Sequence, residues 1–351
     1  MKASRVFASI LVILTLVAMA APLQAQKPVK IFMVPKFTGA AYFAATEKGA
    51  KEAVTDLKKR GVAVDFLYTG PSVANTDEEI RIIDDLIAQK PDALIISAND
   101  AEALVPVAKK AKAGGIKVIT YDADVADPAA RHYFVNQATF RDVGATLIDV
   151  VAEQAGPNAQ FAIVSADPGA FNQNSWIEAM KQRVKAKYPK MTLVDIRYGY
   201  DKPAESFSVA QDLINKYRGK LNAIIAPTSV ALPKVAEAVE QAGLAGKIVV
   251  TGLSTPNDMR EFVKKGTVKT VVLWNPVDLG YLAVFVAHAT VTNKFTKSGG
   301  KTFVDGGRLG RKEVAASLED ITAKGTVKLQ NVIVLGPPFR FTKENIDKFN
   351  F

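Results

Sequence analysis

Apolar positions along the chain follow two alternating rhythms. Short runs at 30–34, 93–97 and 117–121 are apolar almost throughout, and 63–68 alternates apolar with polar. Between them lie longer stretches, 42–60, 76–89 and 101–113, whose apolar residues recur every three or four positions. The first pattern predicts strands and the second amphipathic helices. Local punctuation agrees: Asn75 or Thr76 is placed to cap the helix over 76–89, and Gly114-Gly115 stops the helix over 101–113. Strands that read as apolar runs, separated by helices, predict a parallel sheet covered on both faces.

The rhythm occurs twice. One copy holds Asp85-Leu86-Ile87, then Asp92-Ala93-Leu94-Ile95-Ile96, a helix ending near Gly115 and a strand over 116–121. The other holds Asp212-Leu213-Ile214, then Asn222-Ala223-Ile224-Ile225-Ala226, a helix ending near Gly243 and a strand over 247–252. Matched order and lengths predict an α/β protein with two doubly wound parallel-sheet lobes. Such lobes bind ligands outside the carboxyl ends of their strands. The rule selects 35–37, 97–100 and 122–124 in the first lobe, and 167–173, 227–229 and 253–255 in the second, all facing one inter-lobe cleft.

Composition refines this picture. The chain has 351 residues, 48% hydrophobic and 23% charged, which suits two lobes better than one core. It contains no Cys, so disulfides, thiolate metal sites and cysteine nucleophiles are excluded. At the N-terminus, Lys2 and Arg5 precede an uncharged apolar run over 7–21 and then Leu23-Gln24-Ala25. This pattern predicts a secretory signal peptide over 1–25, cleaved to leave an exported protein starting near Gln26. The net charge of +10 falls to +8 without Lys2 and Arg5. The basic residues are scattered along helix faces, as at Lys109, Lys110 and Lys112, so no nucleic-acid partner is expected.

The strand ends carry polar forks and flat faces. Lys36, Asn99, Asp122, Asp124, Asn172, Gln173, Ser229, Ser254 and Asn275 supply hydrogen-bonding groups. Tyr42, Phe43, Trp176 and Trp274 supply aromatic surface. Vicinal hydroxyls are bound by planar donor–acceptor groups, and a sugar's C–H face by an aromatic ring. A small neutral sugar is therefore the expected ligand. The spacing Asp122-x-Asp124-x-x-Asp127 lacks the glycine and terminal glutamate of a calcium loop, so no metal and no other cofactor is expected. Two His in separate contexts, His132 and His288, and no nucleophile elbow or phosphate loop argue against an enzyme. A paired-carboxylate glycosidase using Asp100, Asp122, Asp124 or Asp167 is the catalytic alternative.

At these residues the chain resembles the type I periplasmic binding proteins of sugar ABC importers. The resemblance rests on IISAND (95–100), ITYDAD (119–124), NQNSWIEAMK (172–181), IIAPTSVALP (224–233), TGLSTPNDM (251–259), GTVKTVVLWNPVDLGY (266–281) and FTKENIDKF (341–349). It implies a monomer that delivers its ligand to a membrane permease, with a chemoreceptor left open as a second partner. Lys36, Asp122, Gln173 and Pro227 match the ligand positions of the autoinducer-2 receptor branch, but Asn172 and Ser229 replace its Asp and Ala. The Asn-Gln-Asn-x-Trp stretch and Gly307 to Gly310 are more similar to the rhamnose-binding branch, which implies a deoxyhexose. The resemblance also implies three hinge crossings, near Phe134, near 251–254 and near Trp274-Asn275. The first lobe would then hold 26–134 plus 276–297, and the second 135–275 plus 298–351.

Overall fold

The computed structural model describes residues 27–351; the expected signal peptide lies outside them. The first sheet is built on five parallel strands: β1 (Val29–Val34), β2 (Val64–Tyr68), β3 (Ala93–Ile96), β4 (Lys117–Tyr121) and β5 (Tyr133–Asn136), in the order β2-β1-β3-β4-β5. The second has four, β6 (Gln160–Ser165), β7 (Thr192–Tyr198), β8 (Ala223–Ala226) and β9 (Val249–Gly252), in the order β7-β6-β8-β9. All four residues of β3 and of β8 are buried, as expected of central strands covered on both faces. Helices α1 (Ala41–Lys59), α2 (Thr76–Ala88) and α3 (Val105–Ala113) follow the first three strands. Asn75 caps α2 by accepting from the Glu78 amide at 2.9 Å. The helix expected from residue 101 begins at Val105, because the Asp100 carboxylate accepts from the amides of Glu102 and Ala103 and holds a turn there.

In the second lobe, α4 (Phe140–Ala155), α5 (Phe171–Lys187), α6 (Pro203–Lys216), α7 (Ala231–Gln241) and α8 (Pro256–Lys265) alternate with the strands. A short strand, β10 (Val271–Leu273), bridges to Leu253 beside β9. Helix α9 (Pro276–Thr292) then returns to the first lobe, where it packs along α1. It is buried nearly all round. The two helices interlock through glycines: a Cβ on Gly49 would lie 1.7 Å from the Val277 carbonyl oxygen, and one on Gly280 would lie 2.0 Å from that of Thr46. Only residues without side chains permit that approach.

The C-terminal region departs from the expected division. Strands β11 (Phe295–Ser298), β12 (Lys301–Asp305), β13 (Arg311–Thr322) and β14 (Gly325–Val334) extend the first sheet, with β14 pairing parallel to β5. Residues 298–334, expected with the second lobe, are thus hydrogen-bonded into the first. Only β15 (Phe339–Phe341), paired with β10, and the tail after it lie with the second. The chain passes between the sheets three times, at β5–α4, at β10–α9 and at β14–β15. The segment 251–254 is no crossing, since β9, α8 and β10 all stay in the second lobe.

The long β13–β14 hairpin also reaches the second lobe. Buried Asp320 accepts from the amides of Phe140 at 2.8 Å and Arg141 at 3.0 Å. It thereby satisfies free donors at the start of α4, where a helix dipole favours negative charge.

Candidate functional site

The carboxyl ends of both sets of strands converge on a narrow, partly open cleft between the two sheets. Ten of the fourteen residues expected at a binding site line it: Lys36, Tyr42, Phe43, Asp122, Asn172, Gln173, Trp176, Pro227, Ser229 and Trp274.

Asp122 is its polar centre in the first lobe. It follows β4 with φ at 59°, a left-handed conformation that Asp tolerates better than most residues. The turn directs its carboxylate into the cleft, where Oδ1 accepts from the Tyr42 hydroxyl at 2.9 Å and Oδ2 from Ser97 at 2.8 Å. The Tyr42 hydroxyl accepts in turn from the indole N–H of Trp274 at 2.9 Å. Burial raises the Asp122 pKa above the ordinary carboxylate value, while Lys36, Ser97 and Tyr42 pull it down. Lys36, itself buried, donates to Asn172 Oδ1 across the cleft at 3.1 Å and so links the lobes. The rings of Trp176, on α5 of the second lobe, and Trp274, at the β10–α9 crossing, sit 5.7 Å apart.

Among the described residues that line the cleft from the second lobe, two side-chain groups are buried without a protein partner: Gln173 Oε1 and the indole N–H of Trp176. Both lie in the first two turns of α5. Buried polar atoms are nearly always paired, so unpaired ones facing a cleft mark groups that a ligand or water satisfies.

Four expected site residues do not line this cleft. Asp124 is committed to Arg131, which donates through Nε at 2.7 and 2.9 Å and through a terminal nitrogen at 2.7 Å, with both side chains fully buried. Thr120 and the Val125 amide also donate to it, so no acceptor capacity is left for a ligand. Asn99 braces the loop after β3, donating to the Lys36 carbonyl at 2.6 Å and to Glu79 at 2.8 Å. Burial pushes the Glu79 carboxyl up to about 8. Ser254 donates to the Ser229 carbonyl at 3.1 Å, and Asn275 caps α9 by accepting from the amides of Val277 and Asp278. Asp127 ends the calcium-like spacing by pairing with Lys109 and the Ala129 amide. Among the described residues no cluster of potential ligands could hold a metal ion.

The structure adds Asp201 and Leu273 to the lining, along with Phe37, Thr228 and Leu253 from the strand-end segments selected in the sequence. Asp201 follows β7, whose burial is partial along most of its length. The alternation Thr192-Leu193-Val194-Asp195-Ile196-Arg197-Tyr198 ahead of Gly199 was the signal that could have revealed this strand end.

Comparison with known proteins bears on the family and the fold. Residues 31–295 match the family model described as a periplasmic binding protein domain. The D-ribose/D-allose-binding protein of Pseudomonas aeruginosa is 27% identical over 251 residues, covering 69% of this chain and 76% of that protein. LsrB from Clostridium saccharobutylicum, solved in complex with AI-2, superposes with a TM-score of 0.80 at 26% identity, covering 92% of this chain and all of the other. An ABC transporter solute-binding protein from Clostridium phytofermentas with bound L-rhamnose superposes with a TM-score of 0.79 at 27% identity, covering 92% and 98%.

Proposed function

This chain belongs to the periplasmic binding protein family, and from that premise we propose that it is the solute-binding component of a sugar ABC transporter. In this reading it captures a neutral sugar between its lobes in the periplasm and presents it to a membrane permease. The observation that carries the reading is the cleft itself. A preassembled carboxylate on one wall faces unpaired polar groups on the other, with aromatic rings between them. Asp122 accepts from hydroxyls, Gln173 and Asn172 both donate and accept, and the Trp176 and Trp274 rings cover a C–H face.

Closure follows from the same arrangement. Groups from either lobe alone make half of the contacts, so the ligand favours the closed form over the open one. The sugar leaves unchanged. Of the two neighbouring carboxylates after β4, Asp122 lines the cleft and Asp124 is neutralised by Arg131.

A 6-deoxyhexose such as rhamnose fits best. Leu253, Leu273, Phe37 and Phe43, all in the lining, offer apolar surface against which a methyl group could rest. Autoinducer-2 is the second reading, favoured by Lys36, Asp122, Gln173 and Pro227 lining the cleft together. Asn172 and Ser229, where that branch carries Asp and Ala, favour the sugar. Titration calorimetry against L-rhamnose, D-ribose, other pentoses and autoinducer-2 separates the readings, and small-angle scattering with the tightest binder tests closure. Saturable binding with compaction and unaltered sugar is expected. Binding of an amino acid alone, or turnover of the sugar, would refute the proposal.

A further inference from the structure

The cleft holds a carboxylate that the sugar reading above does not use. Asp201 lines both the central cavity and the neighbouring one at the mouth between the lobes, beside Lys36 and Asn99. It stands on the loop leaving β7, where Tyr200 and Asp201 both adopt left-handed backbone, with φ of 53° and 49°. Two consecutive residues other than glycine in that region are rare and persist only where the surroundings enforce them. Backbone bonds do so here: the Tyr200 amide donates to the Ala166 carbonyl at 2.8 Å and the Lys202 amide to that of Gly199 at 2.9 Å. The Thr228 hydroxyl donates to Asp201 Oδ1, and among the described residues no donor engages Oδ2. One oxygen is anchored and the other is open to the cleft.

The charges around it are unequal. Lys36 is the one cation lining the central cavity among the described residues, and it draws on both Asp122 and Asp201. Its Nζ is also bonded to Asn172. Asp167 and Asp122 in turn repel Asp201. The single ammonium of the central cavity is thus shared among groups already in place, and the other lysine near Asp201, Lys202, lines only the neighbouring cavity at the mouth. A buried site with a surplus of carboxylates penalises a further negative charge, because little water screens it. Hydroxyl groups, as donors, suit the same acceptors.

We propose that Asp201 is a specificity-determining ligand contact of the second lobe, which with Asp122 of the first admits neutral polyhydroxylated ligands and rejects sugar acids and sugar phosphates. The inference rests on the sugar reading but adds a residue and a rule of exclusion to it. A site that merely encloses sugars would lose little when Asp201 is neutralised. A site built on paired acceptors would lose affinity for the neutral sugar and relax its discrimination.

Calorimetry on the full chain tests this with L-rhamnose and D-ribose as neutral probes and D-galacturonate and D-ribose 5-phosphate as anionic ones. The wild-type protein should bind a neutral probe and neither anion. Asp201→Asn should weaken the neutral probe about 10-fold or more, the loss of one charge-assisted bond, and narrow the neutral-over-anion preference by a similar factor. Its apo melting temperature should be unchanged or raised, since a partly buried charge has been removed. Thr228→Val, which frees the anchored oxygen while keeping the charge, should weaken neutral binding several-fold without admitting anions, and it serves if Asp201→Asn does not fold. Affinity within about twofold of wild type in both variants, equivalent to under about 0.4 kcal/mol, would overturn the role of Asp201 and leave the sugar reading standing. Wild-type binding of an anionic probe as tight as that of the neutral one would overturn the exclusion rule. Failure of the wild type to bind any neutral sugar would remove both readings together.

Discussion

The two walls of the cleft are built in opposite ways. In the first lobe the polar groups are already joined to each other: Trp274, at the crossing, donates to Tyr42, Tyr42 to Asp122, and Ser97 to Asp122. In the second lobe Gln173 Oε1 and the Trp176 indole N–H are buried with no protein partner. On the first wall the central acceptor is already paired, whereas on the second these two lining groups have no protein partner. A paired wall positions a ligand with little reorganisation, whereas an unpaired wall gains most when the ligand arrives. On the reading proposed above, the difference gives closure a direction, with ligand held on the first lobe and the second drawn onto it.

Substitutions on either wall sharpen the contrast. Asp122→Ala carries the largest expected effect. It removes the first wall's acceptor, strands the Tyr42 and Ser97 hydroxyls, and puts alanine into left-handed backbone. Affinity should fall about 10- to 10⁴-fold for the loss of one or two charge-assisted bonds. Apo stability should fall as well, by about 1–3 kcal/mol for the unpaired hydroxyls. A normal melting temperature measured beside the calorimetric affinity would show that the first wall is not preassembled. Asp124→Ala, only two residues away, should act on stability alone. Stranding Arg131 in a fully buried pair costs about 3–5 kcal/mol, while affinity per folded molecule stays near normal.

Trp176→Phe probes the opposite wall. It keeps most of the ring surface and deletes an unpaired indole N–H. Affinity should drop about fivefold to tenfold, one neutral hydrogen bond, and apo stability should hold or rise because a buried unsatisfied donor has gone. A loss of apo stability with unchanged affinity would place Trp176 in the core only.

The smallest effect concerns Glu79, which braces the loop behind Lys36. Its carboxyl is held at about 8 by burial, against 4.5 ordinarily. The folded state therefore keeps a proton that the unfolded chain releases, and stability from this group declines as pH rises from about 4.5 to about 8. Glu79→Gln should flatten that decline relative to wild type in melting curves at pH 5, 6.5 and 8. It should leave the Asn99 bonds to an amide oxygen intact. Parallel curves would mean that Glu79 is ionised in the fold.

Much of this was legible in the residues. The strands over 93–97 and 117–121 and the stop at Gly114-Gly115 follow from periodicity and backbone chemistry, and the structure places them within a residue or so. The strand-end rule located Lys36, Asp122, Asn172, Gln173, Pro227 and Ser229 because in a parallel α/β lobe every carboxyl end opens on one edge. Asp201 escaped because β7 is an edge strand whose half-exposed residues give a weaker apolar signal than β6 or β8. The hairpin of β13 and β14 escaped differently. Its alternating polar strands show that they pair, not what they pair with, and only β14 lying beside β5 assigns it to the first lobe.

Asp122 and Asp124 mark the boundary most clearly. Composition and spacing by themselves determined that both follow an apolar strand at an edge where ligands bind, and that the chain repeats this arrangement in two lobes. They treat the two carboxylates alike, as acceptors two positions apart. The tertiary structure separates them. Left-handed backbone at Asp122 directs its carboxylate to Tyr42 and Ser97 in the cleft, while Asp124 meets Arg131 on a different part of the wall. Arg131 is held there by donating to the Gln330 carbonyl of β14, about 200 residues away along the chain. Local pattern governs which residues reach a strand end. Which partner neutralises a charge there depends on segments distant in sequence, because a buried carboxylate is stabilised by whatever donors the fold brings within hydrogen-bond reach.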